Sequence, residues 1–174
     1  MIWQIRMLGR FEVLAPGSTP VAFRSRKVGS LLAFLALNRG REIANYTLNE
    51  LFWPESDGDK QAQSFRRAIA DLRDVLEADG NRGMVVQTER GKTMLDPNSF
   101  ETDAERFESL LHENHNSADQ DLRTSEAIAL YGGPLLVSID DDWVYAYRRQ
   151  YEEMYCKGVE QICGNLIERG LAAE

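Results

Sequence analysis

The sequence predicts an α+β chain in two parts: a small antiparallel sheet, three helices and a β-hairpin, then an all-helical half. Three observations carry this. The opening stretch "IWQIRML" alternates apolar with polar residues, the period of a half-buried strand. From Ser25 onward apolar residues recur at helical spacing instead. Charge also divides the chain. Residues 1–95 hold 14 Lys and Arg against 11 Asp and Glu, a balance of +3, whereas residues 96–174 hold 6 against 17, a balance of −11. The two halves together give the chain's −8. Such asymmetry suggests two domains with different partners. A length of 174 residues fits one large domain or two small ones, and an apolar share of 43% is enough for a packed core.

The elements follow in order. Gly9-Arg10 separates "IWQIRML" from "FEVL", which reads as a hairpin. "APGSTP" is turn chemistry, and "VAF" returns as a third short strand. Ser25 caps "RKVGSLLAFLALN", whose Val28, Leu31, Leu32 and Leu35 share one face, and Asn38-Arg39-Gly40 stops it. "REIANYTLNELFWP" gives a short extended piece, then a helix capped near Asn45 or Thr47 and ended by Trp53-Pro54. The third helix is expected from about Asp59 to Ala78, burying Phe65, Ile69, Leu72 and Leu76. "ADGNRG" breaks the chain, and "MVVQTERGKTML" reads as strand, turn at Arg90-Gly91-Lys92, strand.

Three helices with a hairpin after the third describe a winged helix-turn-helix. With its apolar stripe inward, the third helix turns Gln63, Arg66, Arg67, Ala70, Asp71, Arg73 and Asp74 outward. A helix that enters a DNA groove needs small or polar residues at closest approach and cations beside them, because phosphates flank the groove. Arg67 and Asp71 stand one turn apart and project together, and Arg73 can hold a phosphate. Arg90 and Lys92 lie at the hairpin tip, where a wing reaches the minor groove or backbone. The competing reading is an ordinary solvated helix, in which Arg67 and Asp71 form an i,i+4 pair worth about 0.3 kcal/mol.

"SRKVGSLLAFLALNRGREI", "LNELFWP" and "RRAIADLRDVL", in this order and followed by the hairpin, resemble the OmpR-type winged helix. The likeness is to the version at the front of bacterial SARP-type transcriptional regulators. "DPNSFETDAERFESLL" and "AIALYGGPLLVSIDDDW" resemble the start of the bacterial transcriptional activation domain, a set of tetratricopeptide-like helices. The resemblance spans nearly the whole chain and implies a DNA-binding domain over 1–95. Residues 96–174 would be a helical activation-type domain, incomplete within this sequence. It implies base-facing positions at Arg67 and Asp71, backbone positions at Gln63, Arg73 and Thr88, and a wing arginine at Arg90. The chain departs from the pattern at Asp71, where basic or neutral residues are usual. It departs again in "GKTML", which lacks the aromatic after the wing glycine.

The second half reads as helices. Met94 to Glu101 is a short polar connection. Asp103 caps a helix through about His112, with Phe107, Leu110 and Leu111 inward. A second helix runs from about Asp119 to Tyr131 with Leu122, Ala127, Ile128, Leu130 and Tyr131 inward. A long third spans about Trp143 to Arg169, with Asp140 to Asp142 at its N-terminus, where carboxylates complement the helix dipole. Helical repeats bury their faces on neighbours, so the last helix should leave apolar surface at "LIERGLAAE".

Several chemistries are not indicated. The three consecutive aspartates point in different directions, and His112 and His115 lack i,i+4 spacing, so no metal is expected. "RGKT" echoes a phosphate-binding loop, but the required earlier glycine is Val86. No nucleophile stands with a histidine base, so neither an enzyme nor a cofactor is expected. Cys156 and Cys163, seven apart in a helix, are too distant for a disulfide and read as half-buried thiols in a reducing cytoplasm. No run approaches the roughly 20 apolar residues of a membrane span, and the charged, alternating start is unlike a signal peptide. The expected partner is double-stranded DNA, with the acidic half meeting transcription machinery or a second copy. The alternative is a protein-interaction module whose winged helix has lost strong DNA affinity, given Asp71 and Asp74.

Overall fold

The computed structural model of the chain describes residues 2–78, 83–112, 117–168 and 170. It opens with β1 (Trp3–Arg6) and β2 (Glu12–Ala15). The third strand, β3 (Thr19–Val21), begins earlier than "VAF". The reason is a tight turn: Gly17 and Ser18 take φ of 95° and 67°, and Ser18 N donates to Ala15 O at 2.9 Å. Ala15 then pairs with Thr19 and Val13 with Val21.

Helix α1 (Arg26–Leu37) is capped by Ser25, whose Oγ accepts from Val28 N at 3.3 Å, and it buries Val28, Leu31, Leu32 and Leu35. After β4 (Ile43–Ala44) comes α2 (Asn45–Phe52). Here the expected cap is corrected. Ala44 holds the N-cap position without a side-chain bond, and Asn45 is the first helical residue. Asn45 is otherwise engaged: its Oδ1 accepts from Thr93 Oγ1 at 2.7 Å and its N–H donates to Gly91 O at 2.8 Å. Helix α3 (Gly58–Leu76) ends before Ala78, at Glu77, which becomes the C-cap. Of the "ADGNRG" breaker, residues 79–82 lie outside the described residues.

The hairpin consists of β5 (Val86–Glu89) and β6 (Lys92–Leu95). The polar connection that follows contains a strand missed in the sequence, β7 (Phe100–Thr102). The remaining elements are α4 (Asp103–His112), α5 (Ser117–Leu130) and α6 (Val144–Glu168). One sheet has the order β3-β2-β1-β7, the other β4-β6-β5.

The chain forms two compact units, Met1–Ile5 with Glu12–Glu101 and Arg6–Phe11 with Thr102–Glu174. In the first, α1 and α2 both pack on α3. Phe34 meets Phe52 edge-on at 5.8 Å and Trp53 meets Phe65 at 6.2 Å, filling the space between the three helices.

In the second unit α5 packs on both α4 and α6. Phe107 lies between the rings of Tyr131 and Tyr151, at 5.6 and 6.0 Å. Gly158 of α6 is buried against α5 and α4, where a Cβ would meet the Thr124 methyl and Leu111 at 3.4 and 3.5 Å, ordinary contact distances. The cap of α4 differs from expectation. Thr102 Oγ1 accepts from Glu105 N at 2.9 Å, while the Asp103 carboxylate also accepts from Met7 N and Leu8 N at 2.7 and 3.0 Å. Asp103 thereby ties the segment Arg6–Phe11 to the helices.

Three smaller expectations are corrected. Leu122 is 60% exposed rather than inward, because Thr124 and Ala127 take the buried positions of α5. Cys156 and Cys163 are free and exposed rather than half-buried. Asp103, expected as the α4 cap, is that helix's first residue. His115 and Arg169 fall outside the described residues. Among the described residues no helix is long and apolar enough to cross a membrane, and no group of three acidic, His or Cys side chains is placed to hold a metal.

Candidate nucleic-acid interface

Helix α3 owes its orientation to one apolar stripe. Phe65, Ile69, Leu72 and Leu76 are no more than 6% exposed, and burying four such side chains fixes which face is left to water. Gln63, Arg66, Arg67, Ala70 and Asp74 lie exposed on the other side, with Asp71 and Arg73 half-buried at its edges. Arg66, Ala70 and Arg73 share one groove with Thr88 and Asn45, between α3 and the root of the hairpin. Arg67 and Asp71 line a second groove with Ser64, Ser25 and Lys27, beside the start of α1.

The hairpin follows from its turn. Glu89 pairs with Lys92, so only Arg90 and Gly91 connect the strands, with φ of 49° and 77°. Two positive φ values make a type I′ turn, whose twist matches that of the strands. Arg90 is held far into solvent, its side chain 89% exposed and its Nε 3.5 Å from Glu89 Oε1. Lys92 belongs to the strand rather than the turn. Its Nζ donates to Glu42 Oε2 at 2.6 Å, and that bond holds the Glu42 carboxyl below its ordinary value. The hairpin is tethered to α2 through Gly91 O and Thr93, both bonded to Asn45.

Two acidic residues that matter here are held by partners from other parts of the chain. The Asp71 carboxylate accepts from Arg24 Nη1 at 3.2 Å, and Arg24 comes from the connection before α1. The Asp71 side chain is 18% exposed and that of Arg24 75%, so the surface at this point carries a cation laid over a carboxylate. Glu77 is fully buried at its side chain. Its Oε1 accepts from Val85 N and Val86 N at 2.9 and 2.8 Å, and its Oε2 from Gly83 N at 2.7 Å.

Arg73 and Thr88, separate positions in the sequence reading, are bonded to each other. Arg73 Nη2 donates to Thr88 Oγ1 at 2.7 Å and to Val86 O at 2.8 Å, and Nε donates to Val86 O at 3.2 Å. The sequence reading missed Arg24 and Glu77, and took Asn45 only as a candidate helix cap. Only Glu77 had any local signal, as an acidic residue one helical turn after Arg73.

A three-helix unit with a β-hairpin wing, followed by a helical unit, is an α+β winged-helix architecture. The same architecture occurs in EmbR of Mycobacterium tuberculosis, whose structure in complex with a low affinity phosphopeptide superposes with a TM-score of 0.83 at 20% sequence identity. The match covers 98% of this chain and 47% of that one, so the chain spans about half the length of EmbR. That likeness shows the fold. No protein-family model matches the chain, and no curated protein matches it.

Proposed function

We propose that this chain is the DNA-binding part of a SARP-type transcriptional regulator, with 1–95 as the DNA-binding domain and 96–174 as a tetratricopeptide-like activation-type domain. The observation that carries the reading is the outward face of α3, where Gln63, Arg66 and Arg67 stand exposed while the hairpin holds Arg90 into solvent. Arg67 and Asp71 face the bases of the major groove with Arg66 beside them, and Gln63 meets the backbone at its edge. Arg73 and Thr88 serve the backbone contact at the root of the wing. Arg90 and Lys92 meet the minor groove or backbone at its tip. The acidic helical half then serves protein partners in the cytoplasm, among them the transcription machinery or a second copy of the chain.

Asp71 favours the alternative, an interaction module, only while its carboxylate is uncompensated. Arg24 at 3.2 Å offsets that charge and supports the DNA reading. The test is selection of bound duplexes from a random pool, followed by a salt series on the winners. We expect affinity to fall steeply with salt, and Arg67→Ala and Arg90→Ala each to weaken binding. Failure to retain any duplex at low salt would leave the interaction module as the better account.

A further inference from the structure

The junction between α3 and the wing contains a buried acid whose purpose the DNA face does not explain. Burying a carboxylate is costly unless every lone pair finds a donor. Glu77 finds three, the N–H groups of Gly83 and Val85 in the turn that leads into the wing and of Val86, the first residue of β5. One helical turn earlier, Arg73 grips the same strand from its other polar groups, through Val86 O and Thr88 Oγ1. Arg73 Nε also lies 3.9 Å from Glu77 Oε2, so the acid helps aim the guanidinium. Val86 is thus held by both its N–H and its C=O, the first by the C-cap Glu77 and the second by Arg73 of α3.

We propose that Arg73 and Glu77 form a clamp that fixes the wing to the end of the recognition helix, making Arg73 a positioning residue rather than a phosphate anchor. The inference rests on the DNA-binding reading and deepens it. A hydroxyl that accepts from a guanidinium keeps its own hydrogen to donate. Thr88 is exposed, and its Oγ1 accepts from Arg73, which leaves its hydrogen available to donate to a group arriving from solvent. Thr88 therefore makes the phosphate contact, and Arg73 acts through it. A lysine cannot reproduce this role: a compact ammonium has no planar fork to span Val86 O and Thr88 Oγ1 together.

The experiment uses the full chain and a labelled duplex of mixed sequence, with dissociation constants measured across a sodium chloride series. Arg73→Lys, Arg73→Ala, Thr88→Val and the Arg73→Ala/Thr88→Val double variant are compared. A clamp makes Arg73→Lys nearly as damaging as Arg73→Ala, despite the retained charge. It also makes the double variant no weaker than Arg73→Ala alone. Wild-type affinity in Arg73→Lys, together with a loss of about 0.9 from the salt slope in Arg73→Ala, is the signature of a direct phosphate anchor and overturns the proposal. Amide exchange without DNA gives a second readout. Arg73→Lys and Glu77→Gln should speed exchange at Val85 and Val86 while α1 stays protected, and unchanged exchange there overturns the clamp. If the wild-type chain binds no duplex, the functional reading falls, and the exchange data alone decide whether the clamp exists.

Discussion

Asp71 is the residue on which the proposed DNA-facing surface turns. A bare carboxylate at this point would repel the phosphates on either side of a groove, whereas Arg24 laid over it presents a cation. The pair is open to solvent on the Arg24 side, so its effect is modest, of the size usual for exposed charges. Removing Arg24 alone should therefore weaken duplex binding by roughly two- to fivefold, and Asp71→Asn in the same chain should restore most of the loss. Fluorescence anisotropy of Arg24→Ala and Arg24→Ala/Asp71→Asn checks this. Equal affinity of Arg24→Ala and wild type would mean that Asp71 does not face the nucleic acid. None of this was legible in the sequence, because the two residues are 47 positions apart and lie on different elements. The same holds for the bond between Arg73 and Thr88: both positions were picked out, but not that one side chain occupies the other.

At the scale of elements, the sequence was legible wherever one element buries one continuous face. The stripe of α3 and the capped face of α1 are each written in a single run, and both appear in the structure within about two residues of expectation. The turn at Arg90 and Gly91 was legible for a similar local reason, since a glycine readily supplies positive φ. What was not legible depends on distant partners. The three-residue strand β7 joins a sheet whose next member is β1, at the other end of the first unit's sequence. The segment Arg6–Phe11 belongs with the helical unit because Asp103 accepts the N–H groups of Met7 and Leu8. That tie has a pH signature. Burial pushes the Asp103 carboxyl above its ordinary value, against the pull of the Leu8 and Met7 N–H groups. The folded chain then binds the proton more readily than the unfolded chain does. Asp103 accordingly contributes most to stability below its unfolded value, and that contribution declines as pH rises through the folded one. Urea unfolding of wild type and Asp103→Asn from about pH 3 to about pH 8 should show wild type losing ground relative to the variant across that rise. A difference that stays constant with pH, or grows in favour of wild type as pH rises, would contradict a raised value.

At the scale of the whole molecule, the charge balance poses its own question, since a chain of net −8 is read as binding a polyanion. Contact and approach obey different rules. The salt dependence of equilibrium binding counts the phosphates neutralised at contact, so it depends on the cations of α3 and the wing and not on the chain's sum. The rate of approach feels the field of the entire molecule, including the −11 of residues 96–174, over a distance set by the Debye length. Replacing three exposed acids of the helical unit, Glu126, Glu152 and Glu160, by glutamine separates the two effects. Stopped-flow association with a labelled duplex should be faster for the triple variant at low salt. The gain should shrink toward about 0.15 M, where screening confines fields to about 8 Å. The slope of log affinity against log salt should stay unchanged, because none of these glutamates lies on α3 or the wing, where phosphates would be neutralised. A changed slope with an unchanged association rate would instead place the acidic unit at the contact itself.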